Sequence, residues 1–291
     1  MSEDYNLDNM EYSDEYFEYS LQYDGTWSAE IYNTEKILSV PREFQGKPVT
    51  TVYHSSQEPA AGREKVLSVK LSPGLREIGY QAFLGYKSLK TINIPSTVDE
   101  IETGAFAHCV SLESLTVGRN VLSIRDEAFL GCKALKEIKL PDGLVNLGDK
   151  VFYGCESLES VRIPKLVNGI GDMMFSFCNS LKRIEVDEHN CFFRSFCGVL
   201  FSKNMERLIK YPAGAAGSTF LMPASVKRVY EEAFLNAQNL KRIFISDSLE
   251  DFEDFDAIVP VPKNETPQKI GQYIELGKLY GKISVFARLC K

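Results

Sequence analysis

Phe83, Phe106, Phe129, Phe152 and Phe175 stand 23 residues apart. Cys109, Cys132, Cys155 and Cys178 keep the same interval, as do Leu89, Leu112, Leu135, Leu158 and Leu181. A fixed period of this length marks a chain built as stacked coils, in which one repeat cannot bury its apolar face alone. Each coil then contacts only its neighbours, so the length of the stack is not limited by a single core. The consequence for function is direct. The periodic residues are spoken for by packing, and any partner must be met by the positions between them.

Within the run the coils align without gaps, from Ile92, Leu115, Ile138 and Val161. Each opens apolar-x-apolar (Ile92/Ile94, Leu115/Val117, Ile138/Leu140, Val161/Ile163), the alternation of a strand with one face inside. Pro95, Pro141 and Pro164 follow; lacking an N–H for a ladder, they end the strand. A second apolar pair (Val98/Ile101, Val121/Ile124, Leu144/Leu147, Val167/Ile170) fits a turn or a short strand crossing the coil. The Ala-Phe pairs at 82–83, 105–106 and 128–129 are expected in about one helical turn, stopped by Gly85, Gly131 and Gly154. The interval lengthens once: Ile184 to Phe220 is 36 residues, or 23 plus 13. Val199–Phe201 and Leu208–Tyr211, joined through 202–205, are expected to form a hairpin replacing an Ala-Phe turn. The period resumes at Val226, Ala233-Phe234 and Leu240 and fades after Phe252. Thr266-Pro267 with Ile270, Tyr273 and Ile274 predicts a helix over about 267–276, and Leu279, Ile283, Phe286 and Cys290 could line a second.

Charge is unevenly placed. Residues 1–35 hold ten carboxylates and no Lys or Arg, and 247–256 hold six more with no base. The remaining residues carry 24 acids against 33 bases. The start, with Tyr5, Tyr12, Tyr16 and Tyr19 among its acids, reads as a flexible acidic arm. The expected division is an acidic arm with a lead-in hairpin at 1–36, a solenoid at 37–256 with a hairpin insertion near 190–212, and a cap or extension at 257–291. No run of 18 apolar residues is present, and no secretory leader is visible at the N-terminus. The expected location is therefore the cytoplasm, or the cell surface or the exterior as a secreted protein if the natural N-terminus lies further upstream.

The repeat resembles the BspA-like leucine-rich repeat family. The motif carrying the resemblance, L-P-x-x-L-x-x-I-G-x-x-A-F-x-G-C-x-x-L-K-x-I, is nearly intact from Leu140-Pro141 to Leu158. Two further passages match: Tyr23-Asp24-Gly25-Thr26 with Gly46-Lys47-Pro48-Val49-Thr50, and Cys197-Gly198-Val199-Leu200-Phe201 with Leu208 to Gly214, where Cys197 stands for the usual Asp. The resemblance covers about residues 16–256. It implies a leucine-rich-repeat solenoid with the β-hairpin insertion; together with the local readings above, the expected fold is α/β, a strand-dominated, right-handed leucine-rich-repeat solenoid with short helical turns, that insertion and a C-terminal helix. It also implies an adhesin-like, non-enzymatic, protein-binding role of the kind seen in bacteria and some protozoa.

Chemistry is sparse. The cysteine ladder reads as packing, since Ala237 and Tyr86 occupy the same slot in other coils and a ligand position would not tolerate Ala. His189, Cys191 and Cys197 form the only His/Cys group, and H-x-C-x5-C lacks zinc spacing and a fourth ligand. No catalytic or phosphate-binding signature occurs, so no enzyme, metal or cofactor is expected. The outward strand positions are the better candidates: Lys70, Asn93, Thr116, Lys139, Arg162 and Glu185, with Lys165 just past its strand. Lys139, Arg162, Lys165 and Arg119 could gather into a mildly basic stripe. No aromatic platform accompanies them, so nucleic acid is not expected, and the expected partner is a protein. The alternative is an intracellular scaffold or regulator docking through the acidic arm or the C-terminal helix.

Overall fold

The computed structural model describes residues 11–34, 36–55, 62–244 and 249–250, and three short strands beyond them. The chain is a β-solenoid of about nine coils. Two lines of short parallel strands run along it. The first is built from the apolar-x-apolar segments. Ile37–Ser39 pairs with Ser68–Lys70 and Thr91–Asn93 with Ser114–Thr116; single bridges through Lys139 and Glu137 lead on to Ser160–Ile163, paired with Arg183–Val186. From Thr91 onward the register steps by one repeat, so Ile92 faces Leu115 and Val161 faces Ile184. The second line is the crossing apolar pair, which is a strand rather than a turn: Glu77–Ile78, Glu100–Ile101, Ser123–Ile124 and Asn146–Leu147 stack in parallel.

Between the lines the core is a column. The rings of Phe83, Phe106, Phe129, Phe152 and Phe175 stack at 5.3, 5.4, 5.9 and 5.9 Å between centroids. The amides of Phe83, Phe106, Phe129 and Phe152 bond the next coil, as Phe106 N–H does to Ala128 O at 2.8 Å. The cysteines are buried beside this column, and each thiol donates to the Phe carbonyl of the preceding coil, at 3.0 Å from Cys109 to Phe83 and 3.0 Å from Cys178 to Phe152. Burial pushes the Cys109 and Cys178 thiols up to about 12, which keeps them protonated and unreactive.

The expected helical turns around Phe do not form. Two residues before each Phe the backbone is left-handed (Gln81, Gly104, Glu127, Lys150, Met173), and two residues after it is left-handed again (Gly85, His108, Gly131, Gly154, Phe177). A right-handed helix cannot run through a five-residue window whose two ends are left-handed. The glycines after Phe are therefore one half of a repeated reversal, not helix stops. Among the described residues the helical structure is a single 3-10 turn, Arg63–Lys65.

The acidic start is folded from residue 11 onward, which corrects the reading of 1–35 as a flexible arm; residues 1–10 lie outside the described residues. Glu11–Ser13, Phe17–Leu21 and Trp27–Ile31 form an antiparallel meander, and its last strand pairs in parallel with Lys47–Tyr53. Phe17, Tyr19, Trp27, Ala29 and Ile31 are buried, while Glu18 stays exposed on the other face. Tyr19 stacks on Phe44 at 3.8 Å and donates its hydroxyl to Asp14 at 2.6 Å. This meander covers the first coil, whose core would otherwise be bare.

The insertion holds three antiparallel strands, Phe193–Phe196, Val199–Ser202 and Arg207–Lys210. Cys197 and Gly198, both at positive φ, make a two-residue turn between the first two. Buried Asn190 pins its base: the side-chain amide donates to Pro164 O and Val167 O, and its oxygen accepts from the Phe192 and Phe193 amides, all between 2.8 and 2.9 Å. The hairpin does not replace the Ala-Phe turn. It precedes one: Tyr211 N–H donates to Ala233 O at 2.8 Å, the bond a column Phe makes, so Tyr211 holds the Phe slot ahead of Phe234. Arg207–Lys210 also pairs in parallel with Arg228–Val229. Thr219–Leu221 and Arg242–Phe244 then restart the first line.

The C-terminal helix is contradicted where the structure describes it. Tyr273–Glu275 is a strand antiparallel to Arg242–Phe244, and Gly277–Leu279 pairs with Lys282–Ser284. An open edge on Arg242–Phe244 offers ladder bonds that an isolated short helix interrupted by Gly271 cannot match. The acidic 247–256 run lies largely outside the described residues, as do Phe286 and Cys290.

Candidate functional site

The outward positions of the first strand line form the wall of an open groove of about 1140 Å³. Alternation puts one residue of each apolar-x-apolar triplet there, one coil apart. Asn93, Thr116, Lys139, Arg162 and Glu185 all line it. Lys70 shares a strand with Ser68 and Val69, which line the groove, but does not line it itself, and Lys165 lies exposed past its strand. The second outward column is rich in small hydroxyls, Ser68, Thr91, Ser114 and Ser160.

The charges of the groove are balanced, so the basic stripe does not assemble. Arg119, Lys139 and Arg162 face Glu137, Asp142 and Glu185 along the same lining. Arg162 is further engaged by Asp187 at 2.6 Å and approached by Asp142 at 3.9 Å. Arg183 closes on Glu185 at 2.8 Å. The His189 amide, with the Arg162 guanidinium behind it, holds the Asp187 carboxyl below its usual range. Such exposed pairs contribute at most about 1 kcal/mol each; their effect is to fix the pattern of charge a partner meets.

His189 sits 3.3 Å from Asp187, and Cys191 and Cys197 are both exposed thiols of the insertion. No group of three or more metal-ligating side chains gathers among the described residues.

A second concavity, of about 640 Å³, opens where the regular coils meet the insertion. It is bounded by residues 168–176 on one side and by Phe192, Phe193, Ile209, Lys210 and Tyr230–Glu232 on the other. Lys210 is 5% exposed, and its ammonium donates to the Glu232 carbonyl at 2.8 Å and approaches the Leu235 carbonyl at 3.5 Å. Burial pushes it down to about 8. Ser176 donates to the Glu232 carboxylate at 2.5 Å across the junction. This cleft was not foreseen from the sequence. Its one signal was Lys210 inside the otherwise apolar L-I-K-Y strand ahead of Tyr211.

Comparison with known proteins agrees with this architecture. Residues 61–182 and 215–256 match six copies of the BspA type leucine rich repeat region, the gap between them holding the insertion. Among solved structures, a leucine-rich repeat protein from Eubacterium ventriosum is 25% identical with a TM-score of 0.62, over 81% of this chain and 59% of that one. This chain therefore spans less than two thirds of that protein's length. A T. pallidum leucine rich repeat protein is 28% identical with a TM-score of 0.54, over 60% of this chain and 81% of that one. A leucine rich cell surface protein from Faecalibacterium prausnitzii shares the fold at 23% identity and a TM-score of 0.60, over 83% and 78% of the two chains. No curated protein matches. With the column, the twin strand lines and six matched repeats spanning more than half its length, the chain belongs to the BspA type leucine-rich repeat family.

Proposed function

We propose that this protein is a non-enzymatic binding solenoid that takes a protein partner in the groove of the first strand line. The observation carrying this reading is the groove itself, whose wall is built from the non-periodic residues of successive coils. Lys139, Arg162 and Glu185 supply charge, and Asn93, Thr116 and the serines supply hydrogen bonds. Lys70 and Lys165 extend the contact at its margins. The mixed charge selects a partner with a matching alternation rather than a polyanion. Parallel strands joined by a crossover wind right-handed in nearly all proteins, and the reading takes that hand for the coil.

The adhesin-like form of this reading, drawn from the family, places the chain outside the cell. The six described cysteines are all unpaired, which suits a reducing compartment and favours the cytoplasm. Fractionation of the native protein separates the two.

The groove is tested by reversing Lys139 and Arg162 to Glu and comparing captured partners with those of Asn146→Arg, on the second strand line. Loss of a partner with the groove variant alone, at unchanged Tm, supports the reading. Equal loss with both, or with neither, overturns it.

A further inference from the structure

At the junction cleft the second strand line is interrupted, and main chain that is bonded in the regular coils is unpaired. In the regular coils, the second-line segment bonds on both sides. Asp99 N–H donates to Arg76 O and Glu102 N–H to Ile78 O, while Leu122 and Arg125 donate back to Asp99 O and Ile101 O. The equivalent segment of the coil 161–183 is Asn168-Gly169-Ile170-Gly171. Its Asn168 amide reaches Val145 O at only 3.4 Å. The N–H and C=O groups of Gly169, Ile170 and Gly171 have no hydrogen-bond partner among the described residues. Gly171 lies directly on the preceding coil, where a Cβ would come within 2.3 Å of Gly148, and the Asn168 and Ile170 carbonyls, equivalent to the Asp99 and Ile101 carbonyls that accept from the next coil, face the insertion with no partner among the described residues. The insertion does not fill it, because Arg207–Lys210 is already paired on both of its edges.

The same place concentrates exposed apolar side chains. Phe192, Phe177 and Tyr230 are 51%, 36% and 47% exposed. Met173 and Phe177 occupy the two left-handed positions flanking Phe175. The sister coils put Gly or polar residues there. A left-handed conformation costs a non-glycine residue about 1–2 kcal/mol; Met173 takes it in the lining of the cleft, and Phe177, just past that lining, packs on Tyr153. Carboxylates stand at the rim: Asp172 and Glu231 are exposed with no ion pair among the described residues, and Arg207 is the one lining cation besides the engaged Lys210.

We propose that this cleft is a second binding site, for an extended peptide segment of a partner protein that adds a strand along Asn168–Gly171. Strand addition takes its affinity from main-chain hydrogen bonds and its selectivity from alternate side chains. The free Asn168 and Ile170 carbonyls supply the first, accepting from the amides of the added strand. Ile170, Met173, Phe192 and Tyr230 receive apolar side chains, and Asp172 and Glu231 select basic ones. A volume of about 640 Å³ lies in the ordinary range for a ligand site. The occupant is thus an extended segment alternating apolar and basic residues.

The test uses the full chain and three labelled octapeptides read by fluorescence anisotropy at physiological ionic strength. One alternates Val and Lys, one alternates Val and Glu, and one is the Val-Lys peptide N-methylated along the edge that would pair. The proposal expects saturable binding of the first, weakened by about tenfold or more in each of the other two. It also expects the same loss in Asp172→Lys/Glu231→Lys and none in Asp99→Lys/Glu113→Lys, which alters net charge equally but far from the cleft. The N-methylated arm uses the unaltered protein, so misfolding of a variant cannot imitate the result. Equal binding of the methylated peptide would show charge attraction without strand addition and overturn the proposal. So would equal loss in the distant charge reversals, or no saturable binding of the Val-Lys peptide up to ~1 mM.

Discussion

Two stretches of this chain use the same repeat to different ends. From Val66 to Ile184 the coils repeat at one interval and share one core, with the Phe column and the Cys thiols in register. From Val199 to Ile243 a separate, smaller core gathers around Phe201, Tyr211, Phe220 and Phe234. There the aromatic rings meet tilted or edge-on, Tyr211 to Phe220 at 5.2 Å and 66°, rather than parallel. Where the coils are alike, the Phe rings stack one repeat apart and the amides of Glu102, Arg125 and Gly148 each find a carbonyl of the preceding coil. One 13-residue insertion shifts that register, and at its seam the chain keeps a buried lysine, left-handed apolar residues and unpaired main chain. The regular stretch is a scaffold; the seam is where free valence collects.

The comparison can be broken first at the column. Phe129 is fully buried between Phe106 and Phe152, so Phe129→Ala should cost about 3–5 kcal/mol in denaturant unfolding. A loss below about 1 kcal/mol would mean that the rings are not stacked in this register.

Lys210 sharpens the other side. Its folded pKa, about 8, lies below that of an unfolded lysine, so from about pH 8 to 10.5 the unfolded chain binds the extra proton. Stability of the wild type relative to Lys210→Met should therefore rise with pH across that window, by on the order of 3 kcal/mol, and stay flat below it. A relative stability that falls or is level above pH 8 would show the ammonium to be solvated.

The N-terminal meander offers a smaller effect. Asp14 accepts the Tyr16 and Phe17 amides at 2.8 Å and the Tyr19 hydroxyl at 2.6 Å. Asp14→Ala should cost about 1–3 kcal/mol, and deletion through residue 14 at least as much; an unchanged Tm would return this segment to the status of a loose arm. Gly131→Ala comes last. Its φ is +69° and a Cβ would fall 2.7 Å from His108 Nδ1, so a loss of about 1–2 kcal/mol is expected. A neutral result would place the residue outside the left-handed region.

The periodic residues made the column, the strand lines and the 13-residue interruption readable from the sequence, because packing in a solenoid repeats with the chain. The left-handed windows were hidden, since Gln81, Glu127, Lys150 and Met173 give no glycine signal and only neighbouring coils hold them in that conformation. The meander was readable in principle: Phe17, Tyr19, Trp27, Ala29 and Ile31 alternate at period two, but the surrounding carboxylates outweighed that pattern. The groove residues were placed by alternation alone, whereas their charge balance depends on Asp142 and Asp187 from neighbouring segments. The cleft arises from a missing strand pairing, which no local pattern announces.

The central claim is that the ladder of the second strand line is continuous through the regular coils and interrupted at 168–171. Native-state hydrogen exchange read residue by residue tests it most directly. The amides of Glu102, Arg125 and Gly148, each bonded to the preceding coil, should exchange slowly, near the limit set by global unfolding. Those of Gly169, Ile170 and Gly171 should exchange through small local openings, orders of magnitude faster. Equal protection at all six positions would mean that the second strand line runs unbroken through 168–171.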